Sequence, residues 1–107
     1  MKRLAALVLA LSLPSTAFAL TGAELMSSKN AYHIGYVFGV VETRIVVRLY
    51  DDPSQDRIRE CVENAQVNPN TIYDLTVEYL KRNPSFVPKH AIAAIFNTVA
   101  EMCPPSN

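Results

Sequence analysis

The feature that most narrows what this chain can fold into sits at its start. Lys2 and Arg3 are followed by an apolar run, Leu4 to Leu13, broken only by Ser12. Pro14 and the small residues of Ala17-Phe18-Ala19 come next. A charged head, a short apolar stretch and small residues at −3 and −1 make the pattern of a secretory leader cut after Ala19. The apolar run is half the roughly 20 residues a membrane-spanning helix needs. Read this way, 1–19 is a signal peptide and 20–107 is one small domain of 107 − 19 = 88 residues. It is exported to the bacterial periplasm, with no membrane contact after cleavage, because Glu42, Arg44 and Arg48 interrupt the next long apolar stretch. A domain of that size has no room for a dinucleotide-binding half with a partner domain, or for an α/β barrel.

Export gives the two cysteines a meaning. Cys61 and Cys103 are the only possible intramolecular pair, and an oxidising compartment favours a structural bond between them. A redox role would call for C-x-x-C spacing, which is absent. The balance of ten basic and ten acidic residues in the full chain leaves no polybasic arm for nucleic acid.

Periodicity predicts an all-α bundle of three to five helices. Thr21 and Glu24 form a capping-box pattern before a short helix from Gly22 to about Lys29, with Leu20 placed to pack on Leu25. Residues 31 to 50 are read as mainly helical, although the β-branched content of 34–41 would also suit a buried strand. Ala31, Gly35, Gly39 and Thr43 recur every fourth residue, and His33, Arg44 and Arg48 share one helical face. Asp51 to Ser54 reads as a turn, and the charged stretch Asp51–Arg57 as a solvated connection or a contact loop. A single helical turn is expected around Gln55 to Cys61. Asn68 and Pro69 open a clear helix, with Ile72, Leu75, Tyr79 and Leu80 inward, Glu78 placed to pair with Arg82, and Asn83-Pro84 as its stop. The last helix is expected to start near Pro88, with Ile92, Ile95, Phe96, Val99 and Met102 inward and Thr98 outward.

No catalytic constellation emerges. His33 and His90, the only histidines, form no i, i+4 ligand pair; they are read as surface, interface or capping residues. Asp51-Asp52 and Asp74/Glu78 are explained by turn chemistry and a solvated helix face. No enzyme activity, cofactor or metal is therefore expected. The Gly35-x-x-x-Gly39 spacing lets helix backbones approach closely. Two readings stay open for Gly35, Tyr36 and Gly39: close packing within one chain, or the seam of a homodimer.

Gly35-Tyr36-Val37-Phe38-Gly39-Val40 resembles the G-Y-[IV]-x-G-[VI] signature of Rap/Tai-type proteins, small exported immunity proteins of type VI secretion systems. The likeness continues through Cys61-Val62, Val67-Asn68, Tyr79 to Pro84, Ala91 and Cys103, spanning about 21 to 103. It implies an all-helical, commonly dimeric fold whose second cysteine pair corresponds to Cys61 and Cys103. It also implies a protein partner, a secreted toxin bound and neutralised in the periplasm, whose contact residues the resemblance does not assign. Ser28 (or its neighbour) and His33 stand where the family carries its first cysteine pair, and Glu63 where a proline often follows Cys-Val. The alternative function is a periplasmic stress protein similar to the HdeA-like acid chaperones, which use titrating carboxylates and an apolar dimer seam.

Overall fold

A computed structural model of the chain describes residues 20–46 and 53–105. The signal-peptide reading of 1–19, and the readings of Arg48 and of Asp51-Asp52 as part of a turn, lie outside the described residues. Among the described residues there are five α-helices and no strand: α1 (Gly22–Ser27), α2 (Ala31–Val41), α3 (Pro53–Ala65), α4 (Pro69–Arg82) and α5 (Ala91–Met102). A π-turn, Glu42–Val46, extends α2, and a 3₁₀ turn, Pro84–Phe86, follows α4. The molecule is an all-α bundle stapled by the Cys61–Cys103 disulfide.

Local chemistry explains the helix starts. At α1, Thr21 Oγ1 accepts the Glu24 N–H at 3.1 Å while Glu24 Oε1 accepts the Thr21 N–H at 3.2 Å, the reciprocal capping box. Asn30 caps α2 through the His33 N–H at 2.8 Å, and Asn68 caps α4 through the Thr71 N–H at 2.9 Å, with Pro69 in the first turn. Helix α2 changes character after Val41. Thr43 donates its hydroxyl to the Gly39 carbonyl at 2.7 Å, in competition with the regular backbone ladder, and the turn widens.

The core joins Leu20 and Leu25 to Val37 and Val41 of α2, Ile72, Tyr79 and Leu80 of α4, and Ala94, Ile95 and Val99 of α5. Helix α2 lies on α4 and α5, which pack on each other. Two threonines share this interior, Thr76 and Thr98. Each donates its hydroxyl to the carbonyl four residues back, Ile72 at 2.8 Å and Ala94 at 2.7 Å, which satisfies the group without exposing it. Thr98 is therefore inside, contrary to the sequence expectation. Leu75 and Phe96, expected inside, are 38% and 41% exposed; Tyr73 and Thr76 complete the buried face of α4 instead.

Three further expectations are corrected. Pro53 opens a 13-residue helix in place of a turn and a single helical turn, because the proline suits a first helical turn. Arg82 pairs with Glu101 of α5 at 2.8 Å, and Glu78 with Lys81 at 3.5 Å, so the expected Glu78–Arg82 pair is not made. Helix α5 begins at Ala91, not near Pro88. A tertiary contact decides this: Thr21 and His90 form an isolated antiparallel bridge, and the Ala91 N–H goes to the Leu20 carbonyl at 2.7 Å. The same crossing satisfies the first amides of α1, with the Gly22 N–H bonded to Lys89 O at 2.9 Å and the Ala23 N–H to Val87 O at 2.8 Å.

Candidate interaction surface

The face of α2 opposite its core contacts is exposed among the described residues. His33, Val37 and Val41, four residues apart, point inward. Half a turn away lie Ala31, Tyr32 and Gly35, all exposed, flanked by the half-buried Phe38 and Gly39. Tyr32 is 65% exposed. An ideal Cβ added at Gly35 or Gly39 meets no described heavy atom within 4 Å. Among the described residues no other helix approaches these glycines closely; the register that buries Val37 turns them outward. The close approach occurs at Gly22, where an added Cβ would stand 3.0 Å from the Phe86 and Val87 carbonyl oxygens and 2.8 Å from Leu80 Cδ2.

Tyr36 lies at the edge of the open face with its ring half-buried. Its hydroxyl is buried, and no described group meets it with full hydrogen-bond geometry. Burial pushes its pKa above 10.0, opposed by the nearby Leu20 backbone N–H, with Tyr32 adding to the rise.

His33 is not at the surface, as the sequence reading had it; it is 8% exposed. Its Nδ1 lies 2.6 Å from the Ser28 carbonyl oxygen. A carbonyl only accepts, so Nδ1 carries the hydrogen in this contact. Tyr73 reaches the same corner and donates to Leu25 O at 2.8 Å and to Ser28 O at 3.2 Å. These two side chains satisfy carbonyls at the end of α1, a role hidden in sequence because the partners of Tyr73 are 48 and 45 residues away. His90, by contrast, is exposed and occupies the N-cap position of α5 without a side-chain cap. The side chain of Arg44 lies outside the described residues, as does Arg48.

Between α1 and α4 runs an open groove of about 490 Å³, lined by Met26, Lys29, Tyr73, Asp74, Val77, Glu78 and Lys81. Lys29 pairs with Asp74 at 3.0 Å and Lys81 with Glu78 at 3.5 Å, so its charges offset one another. Among the described residues, no group of three His, Cys, Asp or Glu side chains could hold a metal ion. None of the described helices is long and apolar enough to cross a membrane.

At the disulfide, Arg57 donates to the carbonyls of Cys103 at 2.9 Å and Pro104 at 3.1 Å. A cation at the C-terminal end of α5 complements the helix dipole. The charged stretch read as a contact loop or solvated connection is, from Pro53 onward, helical, and Arg57 is its anchor to the rest of the molecule. Comparison of the chain with protein-family models, with characterised proteins and with solved structures returns no match.

Proposed function

We propose that this chain is an exported, non-catalytic binding protein that binds and neutralises a type VI secretion toxin in the periplasm, as the Rap/Tai-type resemblance implies. The observation that carries the reading is the outward face of α2. Ala31, Tyr32 and Gly35 are exposed there, with the Tyr32 ring available as an aromatic anchor. In this reading Gly35, Tyr36 and Gly39 form the seam between two copies of the chain. The toxin contacts are left unassigned, and no metal, cofactor or nucleic acid takes part. The leader pattern of 1–19 supplies the compartment, and a structural disulfide suits it.

The test is protection. The full precursor is expected to protect a bacterium in which a cognate toxin is directed to the periplasm. A version lacking residues 2–19 is expected to give no protection, because binder and toxin then occupy different compartments. Protection by the leaderless version would overturn the periplasmic reading. Acid sensitivity of a deletion strain, with no sensitivity to any competitor, would replace it with the chaperone alternative.

A further inference from the structure

The four residues that follow the leader pattern are tied to one short strip of chain, 87–91. Leu20 is 7% exposed and belongs to the core, and its carbonyl accepts the Ala91 N–H at 2.7 Å. Thr21 and His90 form the antiparallel bridge. The Gly22 N–H donates to Lys89 O at 2.9 Å and the Ala23 N–H to Val87 O at 2.8 Å. Thr21 is held a second time by Glu24 in the capping box. At Gly22 an added Cβ would already stand 3.0 Å from two carbonyl oxygens of the strip's entrance, Phe86 and Val87, so nothing as thick as another peptide fits on that side of the backbone.

An endopeptidase takes its substrate as an extended strand on both sides of the bond it cuts. Such strands are held by main-chain hydrogen bonds, with pockets for alternate side chains. Downstream of Ala19 those groups are already occupied: the Leu20 side chain by the core, and the main chain of 20–23 by 87–91. The same groups do not serve the strip and a protease cleft at once. Cleavage of the folded chain therefore draws on the fraction of molecules in which the strip is undocked. Undocking withdraws Leu20 from the core and strips the first amides of α1 of their partners, which keeps that fraction small.

We propose that the native fold shields the Ala19–Leu20 peptide bond, so that the leader is removed before residues 87–91 dock. The cut consumes one water: the C–N bond breaks, hydroxyl goes to the Ala19 carbonyl carbon and hydrogen to the Leu20 nitrogen. The strip lies more than 60 positions after the bond it covers, so the shield closes only when the start of α5 has reached its place. A chain that folds first keeps its leader. The proposal rests on the export reading for the place of the cut, and its test separates the two.

In the full chain, residues 16–19 are replaced by the recognition sequence of a protease that reads only the residues before its cut, so the bond broken is the one before Leu20. The reference is a peptide of residues 10–29 with the same replacement, which lacks the strip. The folded, oxidised chain is expected to be cut at least tenfold more slowly than the peptide, as followed by mass. Ala91→Pro removes the hydrogen donated to Leu20 yet suits its place. His90 already has φ −59° and ψ 134°, as a residue before proline prefers, and Ala91 is the first residue of α5. With helicity retained by circular dichroism, Ala91→Pro is expected to speed the cut at least threefold. Cutting at the peptide's rate overturns the shield, and so does slow cutting that a folded Ala91→Pro leaves unchanged. A second measurement needs no variant at the strip: exchange of the Gly22 and Ala23 amide hydrogens is expected to be at least tenfold slower in the chain than in the peptide. Equal exchange overturns the shield as well. Separately, an exported protein whose first residue is not Leu20 overturns the export cut, a failure distinct from loss of the shield.

Discussion

Gly22 and Gly35 put opposite demands on the same residue type. At Gly22 the neighbours are two backbone oxygens at 3.0 Å, which cannot move aside without shifting the 86–87 turn. Gly22→Ala is therefore expected to destabilise the protein by about 1–3 kcal/mol, the usual range for overpacking, measurable by urea unfolding. Gly35 is on an exposed helix face with open space around it. Gly35→Ala is expected to raise the stability of the monomer by roughly 0.5–1 kcal/mol, because alanine loses less backbone entropy in a helix. The sequence pointed to the other glycines. A spacing of four is visible in the chain, whereas the crossing that makes Gly22 indispensable joins residues more than 60 positions apart.

At the scale of elements, α3 is held to α5 by a covalent tie. Val62 is the most buried of its described side chains, and its links to α5 include the disulfide and the Arg57 hydrogen bonds. Cys103→Ser is expected to lower stability by roughly 2–5 kcal/mol. Hydrogen exchange is expected to quicken first in residues 56–65 and last in α4 and α5, whose shared core it leaves in place. The Arg82–Glu101 pair ties α4 to α5. Its hydrogen bond from Arg82 holds the Glu101 carboxyl below its ordinary 4.5, against some desolvation and with further help from the Arg82 charge. A carboxyl depressed in the folded state contributes stability above its unfolded value and loses it as the pH falls through the folded one. Glu101→Gln is thus expected to flatten the acid side of the stability profile, read from melting temperatures between about pH 2 and 6.

Elements with local signals were legible in the sequence: the capping box at Thr21 and Glu24, the Asn68-Pro69 start of α4, its stop at Asn83-Pro84, and the cysteine pair. What escaped was set by distant partners. The start of α5 is displaced from Pro88 because His90 pairs with Thr21, and Arg82 turns to Glu101 on another helix. Thr98 goes inside because its hydroxyl can return to its own helix, an option that polarity alone does not reveal. For the candidate site, the small residues of α2 could be read from the chain. Their outward direction could not, since it depends on which face α4 and α5 cover.

The described residues leave that face of α2 open, and this is where the state of association of the whole molecule is to be tested. In the proposed seam, two α2 helices approach across Gly35 and Gly39. Gly39→Leu is expected to lower the dimer fraction at a given concentration, with the monomer melting close to the parent, as sedimentation velocity and thermal scans would show. A dimer that persists unchanged in Gly39→Leu would place the seam elsewhere. The disulfide sets a different property of the whole. Cys61 and Cys103 are 42 positions apart, and between them run the end of α3, all of α4 and all of α5. When the protein is pulled from both ends, by a degradative motor or an instrument, tension crosses from one sulfur to the other and bypasses this loop. About 140 Å of extended chain, at roughly 3.3–3.6 Å per residue, stays out of the load path until a reductant opens the bond. Oxidised, the molecule can be drawn out only through the chain before Cys61, which carries α1, α2 and most of α3, and the short segment after Cys103; reduced, it can also be drawn out through α4 and α5.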